Sequence, residues 1–210
     1  MNTSRQYYIY DIPVFVIEEV PDSVNIPEFC SEVEDYLSRP LLNGVEVVYI
    51  GQFKELKGRN AMYAHGGIYM TSSEPTNFDM LENFIHEVAH SLDQKYGMYI
   101  YDDNLIGEFK GKRERLRHLL EAEGYYITPA FYNYSEYNQK FDNFLANEVG
   151  YPLLLTLTMG LFASPYGATS IQEYFANGFE KYFLENPRTV RDISPILYEK
   201  IEEIINDDKT

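Results

Sequence analysis

The sequence predicts an α+β fold, with a small twisted sheet in the N-terminal half and a mainly helical C-terminal half. Three observations point there. Short β-rich runs lie early in the chain: Tyr7–Val20, containing Tyr-Tyr-Ile-Tyr and Val-Phe-Val-Ile, then Val45–Ile50, then a run from His65 to Thr71 that starts at a Gly-Gly turn. Beyond residue 77 the apolar residues recur at helical spacing. Strands first and helices afterwards is the α+β order. The 210 residues are 45% hydrophobic and 16% aromatic, which excludes disorder and suffices for a sizeable core.

The elements follow in order. Residues 27–38 read as a helix between the first two strand regions. Residues 104–123 and 135–148 read as further helices, followed by the apolar run 152–162, a helix around Glu173 and a last helix over 194–205. The run 151–162 is too short to span a membrane and contains two threonines and a glycine, so it reads as core or as a wall of a cleft above Tyr166. No repeat or low-complexity linker interrupts the chain, and a single domain over 1–210 is expected.

The helix beginning near residue 77 carries the main chemical signal. Leu81, Phe84, Ile85, Val88 and Leu92 fall at i, i+3, i+4, i+7 and i+11, one buried stripe. Thr76 or Asn77 reads as the N-cap and Gly97 as the stop. Off the stripe lies His86-Glu87-Val88-Ala89-His90. Two histidines four apart share a helix face, because four steps of about 100° overshoot one turn by only about 40°. Two imidazoles so placed can grip Zn2+, and the intervening glutamate can reach a water on it. The rival reading is a solvated helix face, but this chain has only 4 histidines and two of them flank Glu87.

A catalytic zinc usually takes three protein ligands and one water. A third histidine six residues past His90 is absent, because position 96 is Tyr and position 93 is Asp. Asp93 suits a hydrogen bond to a ligand better than coordination. An acid downstream is then expected, and two regions compete: Glu108 or Glu114, and Glu173. The Glu173 region reads as a turn at Pro165-Tyr166-Gly167, a cap at Thr169 or Ser170, and a helix packing through Phe175, Phe179, Tyr182 and Phe183. With Ser170 as cap, Glu173 fits a capping box, whereas with Thr169 as cap it is free. Local pattern leaves the choice open.

The segment 82–93 resembles the zinc helix of the anthrax lethal factor catalytic domain and its relatives, which include the clostridial Pro-Pro endopeptidases. In that family a tyrosine precedes the ligand glutamate by seven residues, and Tyr166-Gly167-Ala168-Thr169-Ser170-Ile171-Gln172-Glu173-Tyr174-Phe175-Ala176-Asn177-Gly178-Phe179 is similar to that stretch. The resemblance covers 60–100 and 164–184, with a family-unlike insertion at about 101–160. It implies a zincin-like zinc metalloendopeptidase domain. His86, His90 and Glu173 would be its metal ligands, Glu87 the general base and Tyr166 the oxyanion donor. It also implies an edge strand lining the cleft ahead of the zinc helix, for which the run ending at Thr71 is the candidate. Asn177 replaces a family glutamate one turn after the ligand; its amide oxygen can still accept an imidazole N–H, more weakly than a carboxylate. A non-catalytic zinc-stabilised binding or structural module is the alternative, although it needs neither Glu87 nor Tyr166.

The formal net charge of −16 weighs against nucleic acid as a partner. A peptide or protein substrate is expected, and no membrane. The basic run 110–118 reads as a solvated helix face. The aromatic-rich stretch 125–134 reads as a determinant of substrate or partner choice. Residues 1–6 lack an apolar core, so no secretory signal is expected, and the single Cys30 precludes an internal disulfide.

Overall fold

The computed structural model describes residues 5–207. The early strand region becomes a hairpin, β1 (Arg5–Ile9) paired antiparallel with β2 (Ile12–Val16). Alternation decides its faces: Ile12, Val14 and Val16 are buried while Pro13 and Phe15 are partly exposed. Helix α1 (Ile26–Tyr36) starts at Asn25, whose side chain accepts the Glu28 N–H at 3.3 Å. Then come β3 (Val47–Gly51), β4 (Ala61–Ala64) and β5 (Gly67–Thr71). The sheet order is β1-β2-β3-β5-β4, parallel from β2 through β3 to β5 and antiparallel at both ends.

This order corrects the expected edge strand. The run ending at Thr71 forms β5, which is interior, and the edge strand beside it is β4, which the hydrophobic pattern did not mark. A two-residue turn joins them. His65 (φ 50°) and Gly66 (φ 81°) are both left-handed, the geometry that matches the twist of a tight hairpin. The Thr71 N–H donates to the Asn60 carbonyl at 2.7 Å, so antiparallel alternation turns the backbone of Met62 and Ala64 toward β5 and that of Ala61 and Tyr63 away from it.

The remaining elements are helical: α2 (Asn77–Ser91), α3 (Asp93–Ile100), α4 (Asp103–Ala122), α5 (Ala130–Asn133), α6 (Gln139–Asn143), α7 (Tyr151–Thr158), α8 (Ile171–Leu184), α9 (Pro187–Ile193) and α10 (Pro195–Asp207). Gly97 is not the stop of the histidine helix. That helix ends at Ser91, and Gly97 lies inside α3. The expected helix over 135–148 is α6 running into a π-helical stretch, Phe144–Val149. No helix among the described residues is long and apolar enough to cross a membrane.

The described chain divides into two compact units, residues 5–96 with 205–207, and residues 97–204. In the first, α1 and α2 pack on each other and on the sheet, with Phe29 edge-to-face against Phe84 at 5.7 Å. In the second, Phe109, Phe162 and Tyr174 form an aromatic core, with Tyr174 5.4 Å from Phe109 and 5.8 Å from Phe162. The run 151–162 is only half core: Leu154, Thr158 and Phe162 are buried, but Tyr151, Leu155 and Met159 are exposed.

The basic run is a solvated face only in part. Lys112 and Arg113 are buried. Lys112 Nζ donates to the carbonyls of Leu161, at 2.6 Å, and Ile193. Lys110, Arg115 and His118 are exposed as expected, and Arg117 pairs with Glu114 and Glu121 along α4.

Two predictions follow from this packing. A Cβ on Gly178 would sit 2.3 Å from Leu197 Cδ2, inside a filled interior. Gly178→Ala should therefore lower stability by ~1–3 kcal/mol in chemical denaturation, even though alanine is the better helix former. Burial pulls Lys112 down to about 8. The folded state then binds fewer protons than the unfolded chain between pH 8 and the ordinary lysine value, so stability gained from deprotonation rises with pH across that window. The stability of wild type minus that of Lys112→Met should shift toward wild type by ~2 kcal/mol from pH 8 to pH 10.

Candidate metal centre

Helix α2 turns two sets of residues in opposite directions. Leu81, Phe84, Ile85, Val88 and Leu92 are all buried, as the stripe requires. His86, Glu87 and His90 are half-buried on the other side. Thr76 is the cap, its side chain accepting the Asp79 N–H at 3.2 Å. The His86 and His90 rings lie with centroids 5.0 Å apart.

Glu87 has a defined partner. Its Oε2 accepts the Tyr63 backbone N–H at 2.7 Å. Tyr63 is one of the two β4 residues whose backbone faces away from β5, so the carboxylate caps an otherwise open donor on the sheet edge. The Tyr63 hydroxyl donates to the Gly44 carbonyl at 2.9 Å and holds β4 from the other end of the side chain. Sequence reasoning missed this strand. The only signal was the left-handed His65-Gly66 turn, which implies a partner strand on each side.

Glu173 lies in the first turn of α8. The cap of that helix is Ser170, not Thr169, and its Oγ accepts the Glu173 N–H at 3.1 Å. The glutamate of this capping pattern nevertheless joins the histidines. His86, His90 and Glu173 each offer one ligand atom, and these atoms all lie within 4.8 Å of one another. Two imidazole nitrogens and one carboxylate oxygen at such separations fit a single divalent ion with a position left for water.

The rival acids are occupied. Glu108 accepts the Tyr174 hydroxyl at 2.8 Å and the backbone N–H groups of Ile196 and Leu197 at 2.9 and 3.2 Å, which serves the first turn of α10. Burial, reinforced by the Glu108 charge, pushes the Tyr174 hydroxyl above its ordinary range, so it stays protonated and donates. Glu114 is held by Arg117, whose hydrogen bond keeps the carboxyl below its usual range. Asp93 opens the first turn of α3 and is not part of the ligand group.

Tyr166 begins a single 3-10 turn, Tyr166–Ala168, packed on α8. A Cβ on Gly167 would come 3.6 Å from Asn177 Cβ and 3.7 Å from the Glu173 carbonyl oxygen, so the turn rides directly over the residues around Glu173. Thr169 ties its start, with Oγ1 donating to the Tyr166 carbonyl at 2.8 Å. Asn177, whose amide oxygen could accept an imidazole N–H, uses its amide within its own segment. Nδ2 donates to the Glu173 carbonyl at 2.7 Å, and Oδ1 accepts the Ser164 hydroxyl. An amide can donate and accept at once, whereas a carboxylate in this place could not donate.

No family model matches the chain, and no curated protein or solved structure does.

The occupied state of Glu108 yields a prediction that separates it from Glu173. Glu108→Ala should leave metal stoichiometry unchanged while costing ~2–3 kcal/mol of stability, because two N–H groups and a hydroxyl lose their acceptor. Metal analysis beside a denaturation curve checks both halves.

Proposed function

We propose that the protein is a zinc-dependent endopeptidase of the lethal factor-like kind. The observation that carries the reading is the convergence of one atom each from His86, His90 and Glu173 within 4.8 Å, with Glu87 next to His86 on the same helix. His86, His90 and Glu173 would hold the ion. When bound, zinc supplies Lewis acidity and brings the pKa of a water near 7.

The chain's own groups then divide the work. The Glu87 carboxylate takes a proton from the attacking water and returns it to the leaving nitrogen. Its hydrogen bond from the Tyr63 N–H keeps the carboxylate from swinging away. The Tyr166 hydroxyl donates to the oxygen that gains charge in the transition state, an interaction worth more there than in the ground state. The outward backbone of β4, including the Ala61 N–H and Tyr63 C=O, can hold an extended peptide by strand addition. A zinc-stabilised binding module would share the ligands but have no use for Glu87.

Three variants test the reading. Glu87→Gln should retain one zinc and lower cleavage of a diverse peptide library by at least about 100-fold. Tyr166→Phe should lower kcat by about 10- to 1,000-fold with metal affinity unchanged. Glu173→Ala should weaken zinc binding. Zinc retained with no cleavage by wild type would defeat the peptidase and leave the binding module, and full zinc occupancy in Glu173→Ala would defeat the ligand assignment.

A further inference from the structure

Arg113 is fully buried, and no carboxylate is among its guanidinium's hydrogen-bond partners. The guanidinium donates only to main-chain carbonyls. Nε reaches Ala168 at 2.8 Å and Nη2 reaches Thr169 at 2.9 Å, while Nη1 reaches Phe131 at 3.3 Å and also Tyr134. Its flat face lies against Phe109 and Phe141, with the central carbon 4.9 and 4.4 Å from the ring centroids. Burial lowers its pKa to about 10, which leaves the cation charged at neutral pH.

Burying a cation without an anion is expensive, and a well-packed apolar residue commonly serves stability better. The four carbonyls explain its presence. They belong to short turns that lack regular ladders, and buried carbonyls need donors. A planar fork satisfies two separate segments at once, which a lysine ammonium cannot match.

Those two segments are the insertion and the turn that leads into Glu173. Other bonds fasten the same pair. The Ile171 N–H donates to the Ser135 carbonyl at 2.8 Å, and Gln172 Nε2 to Glu136 at 3.0 Å. From Thr169 the path to the ligand is short: Ser170 caps the Glu173 N–H, and Asn177 holds the Glu173 carbonyl. Thr169 also grips the Tyr166 carbonyl.

We infer that Arg113 is a positioning residue for the metal centre: it locks the segment 131–136 onto the turn 166–169, and so sets where Tyr166 and Glu173 stand. The inference rests on the metal-centre reading above. It makes the family-unlike insertion part of the scaffold of the site.

The test measures Zn2+ affinity by competition with a chromophoric chelator, at a temperature where circular dichroism shows each variant folded. Arg113→Met and Arg113→Lys should bind Zn2+ at least tenfold more weakly than wild type. Methylguanidinium added to Arg113→Ala should restore most of the loss. Lys112→Met, which removes the neighbouring buried cation but touches neither turn, should stay within threefold. Affinity within threefold of wild type in the Arg113 variants, with only the melting temperature lowered, would overturn the inference. Hydrogen exchange on wild type gives a second reading that needs no variant. Zn2+ should slow exchange in 128–136 together with 166–173, and an unaffected 128–136 would overturn the coupling. A wild type that binds no Zn2+ would remove the metal centre itself, and this inference with it.

Discussion

An α-helix advances about 100° per residue, and that rotation lets α2 serve two environments at once. Residues 81, 84, 85, 88 and 92 enter the core while 86, 87 and 90 face away from it. The site is therefore carried by an element whose position is held by core packing as well as by a bond to Glu87. Phe84 against Phe29 anchors α2 from one side, and the Glu87 bond to β4 ties it to the sheet edge from the other. A ligand pair on a loop would have neither restraint.

The Glu173 half is built by different physics. Little of it is regular before Ile171, and its backbone carbonyls are satisfied by side chains. Arg113, Ser164, Thr169, Ser170 and Asn177 each bond a main-chain or side-chain group within the stretch 164–177. Such a network is rigid when complete and costly when one member is lost, because every remaining buried group is left without a partner. Asn177 fits this account. Its amide donates to one neighbour and accepts from another, which a carboxylate could not do.

The helical positions of His86, Glu87 and His90, their stripe, and the α+β order were legible in the sequence, because each depends on spacing along a few adjacent turns or strands. The helices at 26–36, 77–91, 103–122 and 195–207 fall close to where propensity and capping place them, whereas the strand-like region 7–20 resolved into two paired strands ending at Val16. Less legible were β4, α3 and α9, which are short and carry weak periodicity. Lys112 and Arg113, within the basic run on α4, misled for a clear reason. Charge reads as exposure unless something inside needs donors, and the carbonyls that need them lie far away in the chain.

By itself the sequence determined the chemistry available: two imidazoles one helical turn apart, a carboxylate between them, and a downstream Tyr166 and Glu173 at a set separation. Tertiary structure decided which acid accompanies the histidines. Glu108 and Glu114 are equally acidic on paper, but one is taken by the start of α10 and the other by Arg117. It also decided which strand is the sheet edge and which cations are internal. These are outcomes of pairings between residues distant in sequence, where the partner sets a group's role and no local pattern encodes the partner.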